Sequence, residues 1–212
     1  MRIIKKDYGH HYNENVIYRE IANSQRNQKR LDLLLDRCAS GKLLEIGCGT
    51  GGFLRLAESH FDVEGIDISK YAIQQIQPHF GERVRVGNVE QNSLPHNRYD
   101  AVIVYNILEH LRKPEKVVKR IYAALKPGGV MIGSVPNNQP FLGSFITRMG
   151  NFVDRTHVST FRPEKWQHIY LHAGFSKIEL FGEVNIGRNH CLYLHGACWP
   201  YLSFNLMFVC TR

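Results

Sequence analysis

A glycine-rich turn after a short apolar run holds the residues of this chain best suited to bind a nucleotide-like ligand. Residues 43–46 predict a buried strand, and residues 53–57 predict a helix. Glycine lets a backbone turn sharply and approach a ligand closely. A helix that begins at such a turn offers free N–H groups to that ligand. We therefore predict a cofactor site, whose loop residues are Gly47, Cys48, Gly49 and Gly51.

Two acidic residues near this loop indicate what kind of ligand it holds. Glu45 lies two residues before Gly47, where a carboxylate suits a cationic ammonium group and suits a pyrophosphate poorly. Asp67 lies at the end of the next predicted strand, 20 residues after Gly47, where an acidic side chain binds ribose hydroxyls. Gly47, Gly49 and Gly52 also satisfy the G-x-G-x-x-G dinucleotide pattern. An NAD-dependent oxidoreductase is therefore an alternative.

Two histidines are candidate general bases. His110 follows Glu109 just past the apolar run 99–105, and because histidine titrates near neutral pH it can remove a proton from a hydroxyl group. His157 is the second candidate. For both residues, the alternative is a structural role in holding a loop. Glu109, His110 and His157 also carry metal-ligand atoms, but their spacing is not diagnostic, and we predict no metal site.

The elements that must position these residues alternate between strand and helix. Strands are predicted at residues 43–46, 61–67, 83–86, 99–105 and 130–135. Ser69 is predicted to cap a helix over residues 70–76 that Pro78 stops, and Pro114 begins another helix. This alternation predicts an α/β fold with a doubly wound, mostly parallel sheet and helices on both faces. Residues 175–181 and 204–210 predict a terminal antiparallel pair of strands.

The size and charge of the chain set limits on its class. Its 212 residues are enough for one α/β domain and too few for two. The net charge of +8 is a mild signal for anionic partners. The chain has neither a transmembrane-length apolar run nor a signal-peptide core, so we predict a cytoplasmic protein. Its five cysteines, without a C-x-x-C pair, predict free thiols.

Taken together, these motifs resemble the class I S-adenosylmethionine-dependent methyltransferases over residues 31–212. The matching segments are 43–51, Asp67, 87–90, 99–111 and 125–129. The resemblance implies a Rossmann-like sheet of seven strands with an antiparallel last strand. It also implies one domain over residues 1–212. Its parts would be an N-terminal helical or lid segment (1–41), a cofactor-binding half (42–135) and a substrate-side half (136–212).

The resemblance implies S-adenosylmethionine as the cofactor and S-adenosylhomocysteine as its product. Glu45 would meet the methionine ammonium group, and Asp67 would bind the ribose. Ile68 and Val89 would flank the adenine. Asn88 stands where the family usually has an aspartate, and its side-chain carbonyl can accept from the adenine amino group.

Three more residues would lie at the methionine end of the cofactor. Tyr105 and Asn106 leave the fourth strand at its carboxyl end, where ligands bind in open α/β sheets. Arg30 is a candidate partner for the methionine carboxylate, and the alternative is a solvated arginine on a helix surface.

Segments 108–111, 154–158 and 173–175 resemble the small-molecule branch of the family, which includes the ubiquinone-pathway O-methyltransferases. They imply a small-molecule acceptor methylated on a hydroxyl group. The ubiquinone enzymes usually carry an acidic residue where this chain has Asn106. That departure weakens any transfer of their substrate or metal site to this chain.

Three questions stay open at this stage. An RNA or protein methyltransferase and a non-catalytic S-adenosylmethionine-binding module are alternatives. No DNA partner is expected, because residues 106–109 lack the Asn/Asp-Pro-Pro-aromatic motif and no cysteine follows a proline. The apolar side chains of residues 136–155 predict an acceptor cover, or contact with a membrane or an apolar partner, unless they form an ordinary packed helix. The sequence leaves the oligomeric state open.

Overall fold

The computed structural model describes residues 24–137, 156–186, 190–196, 203 and 205–212. Within them lie five α-helices and eight strands. The helices are α1 (Ser24–Leu35), α2 (Gly52–Ala57), α3 (Lys70–Phe80), α4 (Pro114–Ala124) and α5 (Pro163–Ala173). The strands are β1 (Gly41–Ile46), β2 (Phe61–Asp67), β3 (Val84–Val86), β4 (Tyr99–Tyr105), β5 (Leu125–Pro136), β6 (Lys177–Ile186), β7 (His190–Leu194) and β8 (Asn205–Thr211).

The strands form one sheet in the order β3-β2-β1-β4-β5-β8-β6-β7. The first five run parallel, β8 is antiparallel to β5 and β6, and β7 is antiparallel to β6. The strand order reverses between β1 and β4, and open α/β sheets bind ligands at such a switch point. The predicted doubly wound, mostly parallel sheet with an antiparallel last strand is confirmed.

The described sheet has eight strands, one more than the seven expected. β6 does not end at Phe181 as predicted but continues to Ile186. The added end of β6 pairs with β7, from Gly182 opposite Leu194 to Ile186 opposite His190. The extra strand therefore exists because the longer β6 leaves backbone groups that need partners.

Helices cover both faces of the sheet, as predicted. Side chains of α1, α2 and α3 pack in one core and those of α4 and α5 in the other. β4 lies between these cores: Val102 and Val104 belong to one, and Ala101 and Ile103 to the other. A central parallel strand is buried on both sides, which explains its continuous apolar sequence.

The predicted start of α3 is correct, but its predicted end is not. Ser69 caps the helix as expected, because its Oγ accepts a hydrogen bond of 3.1 Å from Ala72 N. The prediction that Pro78 stops the helix is wrong. α3 continues to Phe80, whose side chain is buried, and ends at Gly81, which has a positive φ of 59°. A proline in the last turn removes one backbone hydrogen bond, which the burial of Phe80 offsets.

Some predictions fall outside the described residues. They include the N-terminal lid through residue 23 and the proposed contact surface from residue 138 to residue 155. None of the helices in the described part of the chain has the length and apolar character needed to cross a membrane. Among the described cysteines, Cys38, Cys48, Cys191 and Cys210 are free thiols.

Candidate functional site

The predicted glycine turn adopts a backbone that other residues rarely take. Gly47, Gly49 and Gly51 have φ angles of +79°, +51° and +77°, in the left-handed region that favours glycine. A Cβ atom on Gly47 would lie 2.2 Å from Cδ1 of Ile107. The turn therefore packs directly against the loop after β4, so that the ends of β1 and β4 meet at the switch point.

Asp67 joins the end of β2 to this turn. Its Oδ2 accepts a hydrogen bond of 2.8 Å from Gly49 N, and its Oδ1 accepts one of 2.7 Å from Ser69 N. Burial raises the pKa of this carboxyl, and the backbone N–H groups of Ser69, Gly49 and Ile68 act in the opposite direction. The next side chain, Ile68, is 49% exposed. A buried acid and an exposed apolar side chain thus lie side by side at the end of the strand.

A second carboxylate, that of Glu45, is also buried near the turn. Burial raises the pKa of the Cys48 thiol far above its usual value, and the charges of Glu45 and Asp67 raise it further. Cys48 is therefore a neutral thiol, and both carboxylates lie close enough to act on it. A turn with two buried acids suits a cationic ligand and opposes a pyrophosphate.

Arg30 points inward from α1, so the alternative of a solvated surface arginine is not what the structure shows. Its guanidinium carbon lies 3.9 Å from the ring centroid of Tyr105, at the end of β4. Burial raises the pKa of the Tyr105 hydroxyl well above its usual value, and the Arg30 charge opposes this shift. Among the described residues, neither Nε of Arg30 nor the Tyr105 hydroxyl has a hydrogen-bond partner. Such buried polar atoms call for an explanation, and a polar ligand is one.

Asn106 fixes the loop that follows β4. Its φ of 52° is a conformation that asparagine tolerates better than most residues. Its Oδ1 accepts a hydrogen bond of 3.1 Å from Ser134 Oγ, and its backbone N–H donates to Ser134 O at 2.9 Å. The Asn106 side chain thus ties the loop to β5.

Asn88 and Val89 lie in the loop after β3 and differ in their surroundings. Val89 is buried in the core. Asn88 Oδ1 accepts a hydrogen bond of 2.9 Å from Glu90 N, which closes a local turn. The predicted acceptor for the adenine amino group is therefore already used once, and one lone pair of that carbonyl oxygen is left for a ligand.

The two candidate bases lie against each other. The ring centroids of His110 and His157 are 4.7 Å apart, at an interplanar angle of 66°. Nδ1 of His110 lies 3.0 Å from Thr156 Oγ1 and 3.3 Å from Thr156 O. The backbone carbonyl oxygen of Glu109 accepts hydrogen bonds from Val158 N and Ser159 N, both at 2.9 Å. The segment around His157 is thus fastened to the loop that carries His110.

Glu109 completes a three-residue cluster with these histidines. One ligand atom from each of Glu109, His110 and His157 lies within 4.8 Å of the others, a spacing that could hold a metal ion. The Glu109 side chain is 1% exposed. The absence of a metal stays a prediction.

Sequence reasoning missed several residues that the structure brings to the site. Ile107 fills the space beside Gly47, and Thr156 contacts His110. Glu183 is 1% exposed and lies opposite Tyr193, which the unexpected strand β7 supplies. Thr156 belongs to a segment that the sequence did single out, so its neighbour His157 was the available signal. Tyr193 was missed because the sequence analysis predicted no strand at β7.

Comparisons with known proteins bear on the family of the chain and on its fold. The chain matches the methyltransferase domain family over residues 17–180. It is 28% identical over 167 residues to a probable S-adenosylmethionine-dependent methyltransferase of Mycolicibacterium smegmatis, covering 73% of this chain. The match covers 65% of that relative, so the chain spans less than two thirds of its length. It is also 28% identical over 178 residues to a ubiquinone biosynthesis O-methyltransferase of Acinetobacter baumannii, covering 74% of each.

The fold is similar to that of a solved S-adenosylmethionine-dependent methyltransferase of Thermotoga maritima, described as a possible histamine N-methyltransferase. The TM-score is 0.74 at 19% identity, with 97% of this chain and 96% of the other covered. At this identity the likeness shows the fold alone.

Proposed function

We propose, from the premise that this chain belongs to the S-adenosylmethionine-dependent methyltransferases, that it methylates a hydroxyl group of a small molecule. The proposal has two parts, a cofactor site at the glycine turn and a general base beside it. The ubiquinone biosynthesis O-methyltransferase among its relatives supports a hydroxyl acceptor on a small molecule.

The residues at the turn fit the cofactor. S-adenosylmethionine supplies a methyl group that a positively charged sulfur activates. Glu45 would hold its ammonium group and Arg30 its carboxylate, and both charges lie close enough to the Tyr105 hydroxyl to act on its pKa. Asp67 would bind the ribose, because its buried carboxylate stands at the end of β2. The three glycines leave the backbone of the turn open to the ligand, and two buried acids match its positive charge.

The remaining cofactor residues take lesser roles. Ile68 would cover one face of the adenine with its exposed side chain, and Val89 would line the other. Asn88 would accept from the adenine amino group with its second lone pair. The backbones of Cys48, Tyr105 and Asn106 would line the methionine end.

The observation that carries the hydroxyl assignment is the imidazole of His110 in the loop after β4, where its Nδ1 contacts Thr156. A hydroxyl group must lose its proton when its oxygen takes the methyl group, and a histidine can accept that proton at neutral pH. The oxygen–carbon bond forms as the carbon–sulfur bond breaks, and the sulfur keeps the electron pair. His157 packs on His110, so we assign it a supporting role rather than that of a second base.

An RNA or protein acceptor is the main alternative, favoured by the net charge of +8. An imidazole base would serve a hydroxyl group on RNA or protein as well as one on a small molecule, so the choice of a small molecule rests on the ubiquinone biosynthesis relative. A non-catalytic module would bind the cofactor and transfer nothing. The cytoplasmic location and the absence of a DNA partner stay predictions.

The test is to incubate the protein with methyl-labelled S-adenosylmethionine and with separated small-molecule, RNA and protein fractions. We expect the label in a small molecule, as a methyl ether identified by mass spectrometry. Label found only in RNA or protein, or on nitrogen, would contradict the proposal. Label in no fraction, with the cofactor bound, would favour the non-catalytic module.

A further inference from the structure

We infer that Thr156 is a positioning residue that fixes the tautomer of His110, with the hydrogen on Nδ1 and the basic lone pair on Nε2. The tautomer decides which ring nitrogen of His110 can take a proton from an acceptor. Its catalytic consequence rests on the function proposed above, but the tautomer itself does not.

The geometry at Nδ1 decides the tautomer. Both oxygen atoms of Thr156 face this nitrogen, Oγ1 at 3.0 Å and the backbone O at 3.3 Å. A hydroxyl group can donate or accept, but a carbonyl oxygen can only accept. A bare Nδ1 lone pair pointing at a carbonyl oxygen would be repelled by it. Both contacts are favourable only when Nδ1 carries the hydrogen, so in neutral His110 the Nε2 atom is unprotonated.

The chain just after Thr156 is hydrogen-bonded to the loop that carries His110. The carbonyl oxygen of Glu109 accepts hydrogen bonds of 2.9 Å from Val158 N and Ser159 N. Ser159 Oγ donates to Leu111 O at 2.6 Å. Three hydrogen bonds therefore join the segment after Thr156 to the residues on either side of His110. These bonds hold the chain two residues after Thr156 against the loop that carries His110.

The contact matters for a base because histidine needs one nitrogen held and the other available. An imidazole whose Nδ1–H is fixed by an acceptor presents its Nε2 lone pair in one direction. If the hydrogen sat on Nε2, that nitrogen could donate to an acceptor hydroxyl but could not take its proton. Thr156 would thus act on the reaction through His110, without touching the acceptor.

Nuclear magnetic resonance on protein labelled with ¹⁵N-histidine tests the tautomer directly, above the pH at which histidine titrates. Long-range ¹H–¹⁵N correlations show which ring nitrogen carries the hydrogen, and His110→Gln identifies the signals of His110. We expect Nδ1–H in the wild type and in Thr156→Ser, which keeps the hydroxyl group. Thr156→Val has the same shape without that hydroxyl, so Nδ1–H keeps only the longer contact to the backbone O of Thr156 at 3.3 Å, and we expect a larger fraction of Nε2–H. Thr211→Val on β8 is the matched control and should leave the spectrum of His110 unchanged.

An Nε2–H signal for His110 in the wild type would overturn the inferred tautomer, and an unchanged tautomer in Thr156→Val would overturn the role of the Thr156 side chain. Once a hydroxyl acceptor is known, kcat for Thr156→Val should fall about tenfold or more, while Thr156→Ser restores it. A confirmed tautomer in a protein that methylates no hydroxyl would contradict the proposed function alone. A normal kcat in Thr156→Val with a hydroxyl acceptor would contradict the positioning role.

Discussion

Replacement of His110 by glutamine is expected to lower kcat for methyl transfer to a hydroxyl group by about 10²- to 10⁴-fold, the range that a positioned general base contributes. Glutamine has a similar reach and can still donate a hydrogen bond to Thr156, but it cannot accept a proton at neutral pH. The loss should therefore fall on kcat, while the affinity for S-adenosylhomocysteine stays unchanged. Steady-state kinetics and calorimetric titration measure the two quantities separately.

The matched control for this variant is His172→Gln. His172 lies exposed on α5, where its ring stacks on that of His168 at a centroid distance of 3.7 Å. This substitution removes an imidazole without touching the proposed site, so kcat should stay at the wild-type value. An His110→Gln enzyme with the wild-type kcat would show that no base is needed there, as for an acceptor that carries no proton to lose.

Replacement of Asp67 by alanine is expected to weaken S-adenosylhomocysteine binding by about 100-fold or more. A hydrogen bond to a charged group contributes about 1.5 to 3 kcal/mol, and two such bonds to the ribose correspond to at least that factor. The alanine variant also leaves Gly49 N and Ser69 N without their acceptor, so it should be less stable. Asp67→Asn keeps one acceptor oxygen and should fold better, but still bind weakly. Calorimetric titration measures the affinity, and urea unfolding measures the stability.

Asp62→Ala is the control for Asp67, because it removes a carboxylate from the same strand. The Asp62 side chain is 59% exposed and pairs with Lys42, and an exposed ion pair contributes about 0 to 1 kcal/mol. Cofactor affinity should be unchanged in this variant. If a well-folded Asp67→Asn protein bound S-adenosylhomocysteine as tightly as the wild type, the ribose role of Asp67 would be wrong.

Much of the frame that carries the site follows from local sequence. β2 and β4 have the predicted bounds. β4 is a nearly continuous apolar run buried on both faces of the sheet, whereas β2 begins with alternating buried and exposed side chains and ends at a turn. The cap at Ser69 was also predictable, since it depends on one side chain and the helix next to it. The glycine turn and Asp67 could be located because each depends on one residue type at a strand end.

The sequence could not show the contacts between segments that are distant along the chain. Arg30 was as compatible with solvent as with the site, and only the tertiary packing of α1 places it over Tyr105. The helix past Pro78 depends on the burial of Phe80, which is a tertiary effect. β7 has no signal in its own five residues, because it exists as the partner of a lengthened β6. The sequence predicted that the side-chain oxygen of Asn88 accepts from the adenine amino group. It did not show that this oxygen already accepts a hydrogen bond from Glu90 N.

The most direct test of the central claim is thermal unfolding of the wild-type protein alone and with S-adenosylhomocysteine, S-adenosylmethionine or NAD. A ligand that binds only the native state stabilises it by about 2.7 kcal/mol at 100 times its dissociation constant. We predict a clear upward shift of Tm with the two adenosyl ligands and none with NAD. A shift with NAD alone, or with none of the three, would contradict a cofactor site for S-adenosylmethionine at the glycine turn.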